Sequence, residues 1–304
     1  MKRMLAVVVA LLLISGVVYM SRAVPPISSD ELSRAAALKL FHSLSDEQKK
    51  LAVKEFTDKD RYTEQFPEVV RPGLPYSKLT VEQKTMVEDV VKAITSEYGA
   101  KRCLEVAKQS SDKGRYINFF GEPSADNAFA WRVASHHLTL IYAEFGKNKA
   151  DEFGPILLGG NPVKDLWEQE EKIVIELYGS LSEAETKSIQ AKGASSGSGA
   201  AIGKAGVKLG DLNEKSRDLA RKLLSKRLDV FSADRRKAAE AIIAREGGVD
   251  GLRIAIWGAA NKSHLDGGAY HWRIGSDAFI ADWQTAGKNH IHMTVRGKAK
   301  PAVK

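Results

Sequence analysis

Ala128-Phe129-Ala130-Trp131-Arg132-Val133-Ala134-Ser135 returns 141 residues later as Ala269-Tyr270-His271-Trp272-Arg273-Ile274-Gly275-Ser276. The same offset carries Gly146-Lys147-Asn148 onto Gly287-Lys288-Asn289 without a gap. Aromatic and β-branched residues stand out in both octets, as in half-buried strands. Working outward, Phe119-Phe120-Gly121 matches Ile256-Trp257-Gly258, and Leu44-Ser45-Asp46-Glu47 matches Leu181-Ser182-Glu183-Ala184, both at an offset of 137. Gly73-Leu74 with Leu79 matches Gly206-Val207 with Leu212 at 133. Four matches in one order, with small changes of offset, are what a duplicated chain with loop insertions produces.

Each half reads as two pairs of helices followed by strands. Helices are expected over Asp30–His42, Asp46–Phe56, Val81–Tyr98 and Ala100–Gln109, then over Val163–Tyr178, Glu183–Ala191, Glu214–Leu228 and Ala233–Arg245. Thr80-Val81-Glu82-Gln83 and Ser182-Glu183-Ala184-Glu185 are capping boxes, and Val87, Val90, Val91 and Ile94 form an apolar stripe of helical period. Strand character runs over Tyr116–Gly121 and Ala128–Tyr142, then Leu252–Trp257, Ala269–Trp283 and Ile291–Arg296. Gly193–Gly206 is rich in Gly, Ser and Ala and predicts a flexible loop, whereas the matching Asp58–Arg71 is charged, aromatic and proline-bearing. The expected architecture is α+β. Two duplicated halves, residues 24–162 and 163–304, bring antiparallel strands together about a pseudo-twofold axis, with helices outside and a crevice between.

The N-terminus has a different character. Met1-Lys2-Arg3 is followed by the uncharged, almost wholly apolar run Leu5 to Met20 and then by Ser21-Arg22-Ala23. A charged start, an apolar middle and small residues at the exit make a secretory signal over residues 1–23. The alternative is a retained membrane anchor, with Tyr19 at the interface and Arg22 snorkelling. Localisation is therefore expected to be extracytoplasmic, periplasmic or secreted, with membrane attachment through residues 1–23 left open. The formal charge of +8 falls to +5 without Lys2, Arg3 and Arg22, and the excess is spread along the chain. No dense basic block interleaved with aromatics is present, so a nucleic-acid partner is not expected. Cys103, the only cysteine, excludes an internal disulfide and reads as a small buried apolar residue.

Residues kept in both halves are explained first by a shared fold. Trp131 and Trp272 fill equivalent core positions, Arg132 and Arg273 equivalent corners, and Ser135 and Ser276 the same bend. The histidines differ. His136-His137 faces Asp277-Ala278 across the repeat, and His290 and His292 face Lys149 and Asp151. The common fold did not demand these imidazoles. In a strand, residues i and i+2 share a face, so His290 and His292 would stand side by side. His136 and His137, read as strand neighbours, would point to opposite faces, and one of them would complete a three-histidine set. Such a set with an open position suits Zn, Cu or Fe. Asp282 and His271 are further candidates as ligand, orienting partner or general base. The bland alternative is imidazoles hydrogen-bonded to backbone on ordinary strands. His42 and His264 read as surface or helix-end residues.

Leu157-Leu158-Gly159-Gly160-Asn161-Pro162 predicts a tight turn before a helix, whose free amides are a weak candidate for an anion. Ser135 beside His136 lacks a nucleophile-elbow pattern, and no HExxH, P-loop or dinucleotide fingerprint occurs.

Phe120-Gly121-Glu122-Pro123-Ser124, Trp131-Arg132, His136-His137-Leu138, Leu158-Gly159-Gly160-Asn161-Pro162 and Asn289-His290-Ile291-His292, in this order, resemble the family known as domain of unknown function 3500. The resemblance covers roughly Leu44 to Arg296. It implies that the His-His and Asn-His-Ile-His elements are family features and that relatives are exported. It carries no activity. It also implies an acidic residue and a further segment past Arg296, where this chain has the short basic tail Gly297–Lys304.

Three functions follow as expectations. The first is an exported metal-dependent enzyme, a hydrolase or oxidoreductase, in which His290, His292 and one of His136 or His137 hold a divalent transition metal (Zn, Cu or Fe) and Asp282 moves a proton or orients a ligand. The second is a non-catalytic extracytoplasmic protein that clasps a small molecule or polymer, with Trp131, Arg132, Trp272 and Arg273 lining the crevice. The third is a scaffold at the membrane surface.

Overall fold

A computed structural model describes residues 28–63, 72–145, 153–161, 167–193, 195 and 200–297. Residues 1–23, the expected signal, lie outside this set. Among the described residues no helix is long and apolar enough to cross a membrane.

The chain opens with α1 (Ser29–Ser43) and α2 (Asp46–Ala52). Each begins at a serine, Ser28 or Ser45, whose hydroxyl accepts the amide three residues on, while Glu31 or Gln48 there accepts the serine's own amide. The second helix does not run on to Phe56, because β1 (Val53–Lys54) leaves it to join the sheet. After β2 (Leu74–Pro75) come α3 (Val81–Ile94) and α4 (Glu97–Ala107). The break at Thr95-Ser96 moves the boundary seen in the sequence, because the Ser96 hydroxyl caps a new helix on the Gly99 amide.

Four strands follow: β3 (Tyr116–Phe120), β4 (Ala128–Ala134), β5 (Leu138–Phe145) and β6 (Phe153–Leu158). Then come α5 (Glu168–Ser180), α6 (Glu183–Ile189), β7 (Val207–Lys208), α7 (Glu214–Leu228) and α8 (Ala233–Arg245). The chain closes with β8 (Arg253–Gly258), β9 (Tyr270–Gly275), β10 (Phe279–Thr285) and β11 (Ile291–Gly297).

This is an α+β molecule with eight helices among the described residues and one eleven-stranded mixed sheet, ordered β1-β3-β4-β5-β6-β11-β10-β9-β8-β7 with β2 beside β3. Among the described residues its one parallel pairing of strands is β1 with β3, and Gln190 adds a parallel bridge to Ile256 on β8. The expected runs Ala128–Tyr142 and Ala269–Trp283 each fold as two strands, because Ser135–His137 and Ser276–Ala278 are tight turns. β6 was not foreseen; Leu157 and Leu158 belong to it rather than to a turn.

Strand alternation sorts the sheet into two faces. Trp131, Trp272, Phe129, Tyr142, Ile274, Trp283, Met293 and Val295 are buried in the main core with the apolar stripes of the helices. The alternate positions are polar yet fully buried: Asn118, Arg132, Thr139, Arg273, Asp282 and Thr294. Loop residues pack over this second face. Arg132 donates to the Asp60 carbonyl at 2.7 Å, and Ile202 packs on Ala255 and Ile280. Part of Gly193–Gly206, expected to be slack, lies outside the described residues. Its described end is pinned, with the Arg253 guanidinium donating to the Lys204, Ala205 and Gly206 carbonyls.

The four-strand units β3–β6 and β8–β11 meet where β6 pairs β11, with Leu157 opposite Thr294. In the helical layer, the α3–α4 connection meets the α7–α8 connection. Ser96 donates its amide to the Val230 carbonyl and Ser232 donates its amide to that of Ile94. The approach is close enough that a Cβ on Gly99 would lie 1.8 Å from the Val230 oxygen, so only glycine fits there.

Candidate metal centre

Three adjacent strands end at one place. β5 begins just after His137, β6 ends just before Gly159, and β11 begins between His290 and His292. The pairings Leu138 with Leu158 and Leu157 with Thr294 set His137, Gly159 and His292 level across these strands. The Gly159 amide donates to the His137 carbonyl at 2.9 Å, and Gly160 donates to that of Ile291 at 3.0 Å. Gly159 puts no side chain between the two imidazoles, and a Cβ there would lie 2.2 Å from the Ile291 oxygen. The Gly-Gly pair thus lets β11 approach. Its amides, and that of Asn161, which donates to Gln109 Oε1, are already spent. They offer no free anion cradle.

The imidazoles converge. His137 Nε2 and His290 Nε2 are 2.9 Å apart, and His290 Nε2 and His292 Nε2 are 3.1 Å apart. His136, His137 and His290 each offer a ligand atom within 4.8 Å of the others, so this group could hold a metal ion. His136 and His137 are not strand neighbours pointing to opposite faces. They sit in the turn between β4 and β5, outside any strand, and both reach the cluster. The His136 amide donates to Ser110 Oγ, which fixes the turn against the end of α4.

Burial, and then the charge of neighbouring imidazoles, pushes His137 down to about 3 and His292 down to about 4; His290 is lowered by the same causes. All three are therefore neutral bases at neutral pH. An imidazole nitrogen has one in-plane position, filled by a proton or a lone pair. His290 Nε2 meets two others, and one proton serves two such contacts poorly. A cation receiving three lone pairs serves all of them. Nitrogen ligands at about 2.1 Å from a tetrahedral zinc ion stand about 3.4 Å apart, close to the separations seen.

Asp282, read as a proton-moving or orienting carboxylate, is fully buried. Its Oδ1 accepts the Thr294 amide at 3.0 Å, and Oδ2 faces Arg273 Nη2 at 3.3 Å and His271 Nε2 at 3.6 Å. Its charge favours protonation of His292. It is a held anion behind the sheet's polar face and is not presented to a substrate arriving from solvent. His271 belongs to this Asp282–Arg273 group.

Trp131, Arg132, Trp272 and Arg273 have no exposed surface with which to line a crevice. Trp131 Nε1 donates to Ser33 Oγ at 3.0 Å, and Arg132 donates to Asn118 Oδ1 at 2.9 Å. In this structure they are core residues.

His264, read as a surface residue, is buried. Its ring Nδ1 and backbone amide both meet Glu171 Oε1, at 2.8 and 2.7 Å, and the Tyr270 hydroxyl donates to the same oxygen. This clasp joins α5 to the β8–β9 connection, and no sequence spacing announced it. His42 lies exposed in the last turn of α1. Cys103 is fully buried, and burial pushes its thiol up to about 12, so it is inert at neutral pH.

The chain belongs to the family described as protein of unknown function (DUF3500), whose family model matches residues 28–300, nearly the whole length. No curated protein and no solved structure matches it.

Proposed function

We propose that the chain is an exported metal-dependent enzyme in which imidazoles drawn from His136, His137, His290 and His292 hold a divalent transition ion. The observation that carries this reading is the meeting of three Nε2 atoms, at 2.9 and 3.1 Å, from segments more than 150 residues apart in the chain. Imidazole ligands suit Zn, Cu and Fe. A three-imidazole set leaves a position for water, whose proton a zinc ion makes easy to lose near pH 7. Hydrolysis by metal-activated water and redox chemistry at the same ion both fit these ligands. The substrate is a small molecule or polymer reaching the half-buried side of the cluster, where His136, His290 and His292 are partly exposed. Export rests on the layout of Met1–Ala23 alone, with membrane attachment through that segment as the alternative.

The same proposal takes residues 24–162 and 163–304 as duplicated halves of one compact unit about a pseudo-twofold axis. The mirrored strand order on either side of β6 and β11, and the reciprocal amide contacts of Ser96 and Ser232, support it. The metal would then lie at the seam, with ligands from both halves. The alternative of a non-catalytic clasping protein loses its proposed contacts, since Trp131, Arg132, Trp272 and Arg273 are all buried.

The test is elemental mass spectrometry of purified Val24–Lys304 and of its His290→Ala/His292→Ala variant. Near-stoichiometric metal in the parent, lost in a variant that still folds by circular dichroism, is the expected result. A parent that takes up no metal after incubation with Zn, Cu and Fe overturns the reading.

A further inference from the structure

Among the imidazoles at this end of the sheet, His290 is the one whose Nε2 meets two others, at 2.9 Å from His137 and 3.1 Å from His292. It also belongs, with His136 and His137, to the group whose ligand atoms lie within 4.8 Å of one another. His290 is thus common to both groupings. Its backbone is held differently from those of its neighbours. His292 lies inside β11, opposite Gln284 in the ladder, and the His137 carbonyl accepts the Gly159 amide. His290 stands one residue before β11, beyond the last ladder pair, Thr285 with Ile291. The turn joining β10 to β11 fixes it instead. The His290 amide donates to the Gly287 carbonyl at 3.3 Å, and the His290 carbonyl accepts the Ala286 amide at 2.8 Å. Both bonds stay inside the hairpin, so the path through Gly287-Lys288-Asn289 decides where this imidazole starts.

That path has one demanding position. Asn289 has a φ of 61° and is the only residue other than glycine with positive φ among the described residues. It is third in the four-residue turn from Gly287 to His290, where a positive φ calls for glycine or asparagine. A side chain crowds the neighbouring backbone in this left-handed region, and a β-branched one is excluded from it most strongly. The triplet recurs as Gly146-Lys147-Asn148, followed there by Lys149. The turn sequence is therefore common to both copies of the repeat, and an imidazole follows it only in the second.

Resting on the metal-centre reading, we infer that Asn289 is a positioning residue for the ion: its left-handed backbone aims His290 into the cluster. A residue that cannot hold this conformation redirects the chain at His290, the imidazole that meets two others. The ladder pairs that carry His292 stay as they are. Glycine, which adopts the same backbone freely, serves as well as asparagine.

The experiment measures zinc affinity, by competition with a chromophoric chelator, for the full chain and its Asn289→Gly, Asn289→Ala and Asn289→Val variants, each first checked for folding by circular dichroism. Asn289→Gly should bind zinc as wild type does. Asn289→Val should bind about ten- to a hundredfold more weakly, the loss typical when a residue that orients a metal ligand is changed. Asn289→Ala should fall between them, and it carries the test where the valine protein does not fold. A role confined to the hairpin would lower the urea midpoint of the metal-free variants and leave the zinc affinity of the folded proteins unchanged. That result overturns the inference and leaves the metal centre standing. Affinity lost as fully in Asn289→Gly also overturns it, because the side chain and not the backbone would then matter. A wild type that binds no zinc removes the inference, and its failure with Cu and Fe as well removes the reading beneath it.

Discussion

The turn after β4 and the turn after β9 are drawn alike and carry different chemistry. In the first, the Ser135 amide donates to the Leu138 carbonyl at 2.7 Å; in the second, the Ser276 amide donates to that of Phe279, also at 2.7 Å. Between these ends the first turn holds His136-His137 and the second Asp277-Ala278. The backbone therefore closes equally well without imidazoles, and what selects histidine is its surroundings. The first turn faces β11, where His290 and His292 wait. The same contrast runs along the strands, where Arg132 donates to Asn118 Oδ1 and the Asp60 carbonyl with the Asp60 carboxylate near by, and Arg273 donates to the carboxylate of Asp282 itself.

The largest expected difference lies between these two arginines. Asp282→Ala removes the carboxylate that faces the fully buried Arg273 guanidinium, a loss of about 3–5 kcal/mol. Asn118→Ala removes one neutral acceptor from Arg132 and costs about 1–2 kcal/mol. Urea unfolding of the two variants measures the gap. Where Asp282→Ala remains folded it should still load metal, because Asp282 is not among the converging ligands. Equal losses of stability would show that the carboxylate adds nothing to Arg273 beyond what an amide gives Arg132. Metal lost from the folded variant would return Asp282 to the site.

That contrast marks how far the sequence could be read. The octet repeat was visible because a fixed offset survives without a fold; His290 and His292 do stand side by side as expected, although His290 lies just before β11 and not in the strand. The α7 and α8 limits were visible because apolar period and flanking polar residues agree there. The adjacency of His136 and His137 misled. Neighbours diverge in a strand, but the bend expected at Ser135 extends through His136 and His137, takes both out of the strand and lets both reach the cluster. β6 was hidden by Gly159-Gly160, which reads as a turn and in fact ends a strand where backbone approaches backbone. His264 was misplaced because its partner, Glu171, lies on a helix more than 90 residues earlier and is brought near only by packing.

The next difference is electrostatic and belongs to the first turn alone. Unfolded imidazoles take protons below about pH 6.5. Folded His137 and His292 resist until about 3 and about 4, because burial and their neighbours disfavour the charged form. Between these limits the unfolded chain binds more protons, so stability rises with pH and is lost as pH falls from about 6.5 toward about 4. Metal-free wild type should show a steeper fall in urea midpoint between pH 7 and pH 5 than His137→Gln/His292→Gln. Parallel slopes would mean that these imidazoles already charge freely in the folded chain.

The smallest expected effect tests whether the two turns are the same structure. Ser276 Oγ accepts the amides of Ala278 and Phe279, at 3.1 and 3.2 Å, so it satisfies the turn from within. Ser135 Oγ is buried and has no partner among the described residues. Ser276→Ala should cost about 1 kcal/mol, and Ser135→Ala should cost nothing or stabilise slightly, since it removes a buried hydroxyl that makes no bond. Metal should sharpen the asymmetry. If His137 ligates an ion, the first turn is held by that bond and can dispense with a hydroxyl cap, while the second turn depends on its serine. Urea unfolding of both variants, with and without added Zn, separates the two cases. A Ser135→Ala protein destabilised as much as Ser276→Ala, with metal making no difference, would show that the first turn relies on its serine after all and draws no support from the histidine beside it.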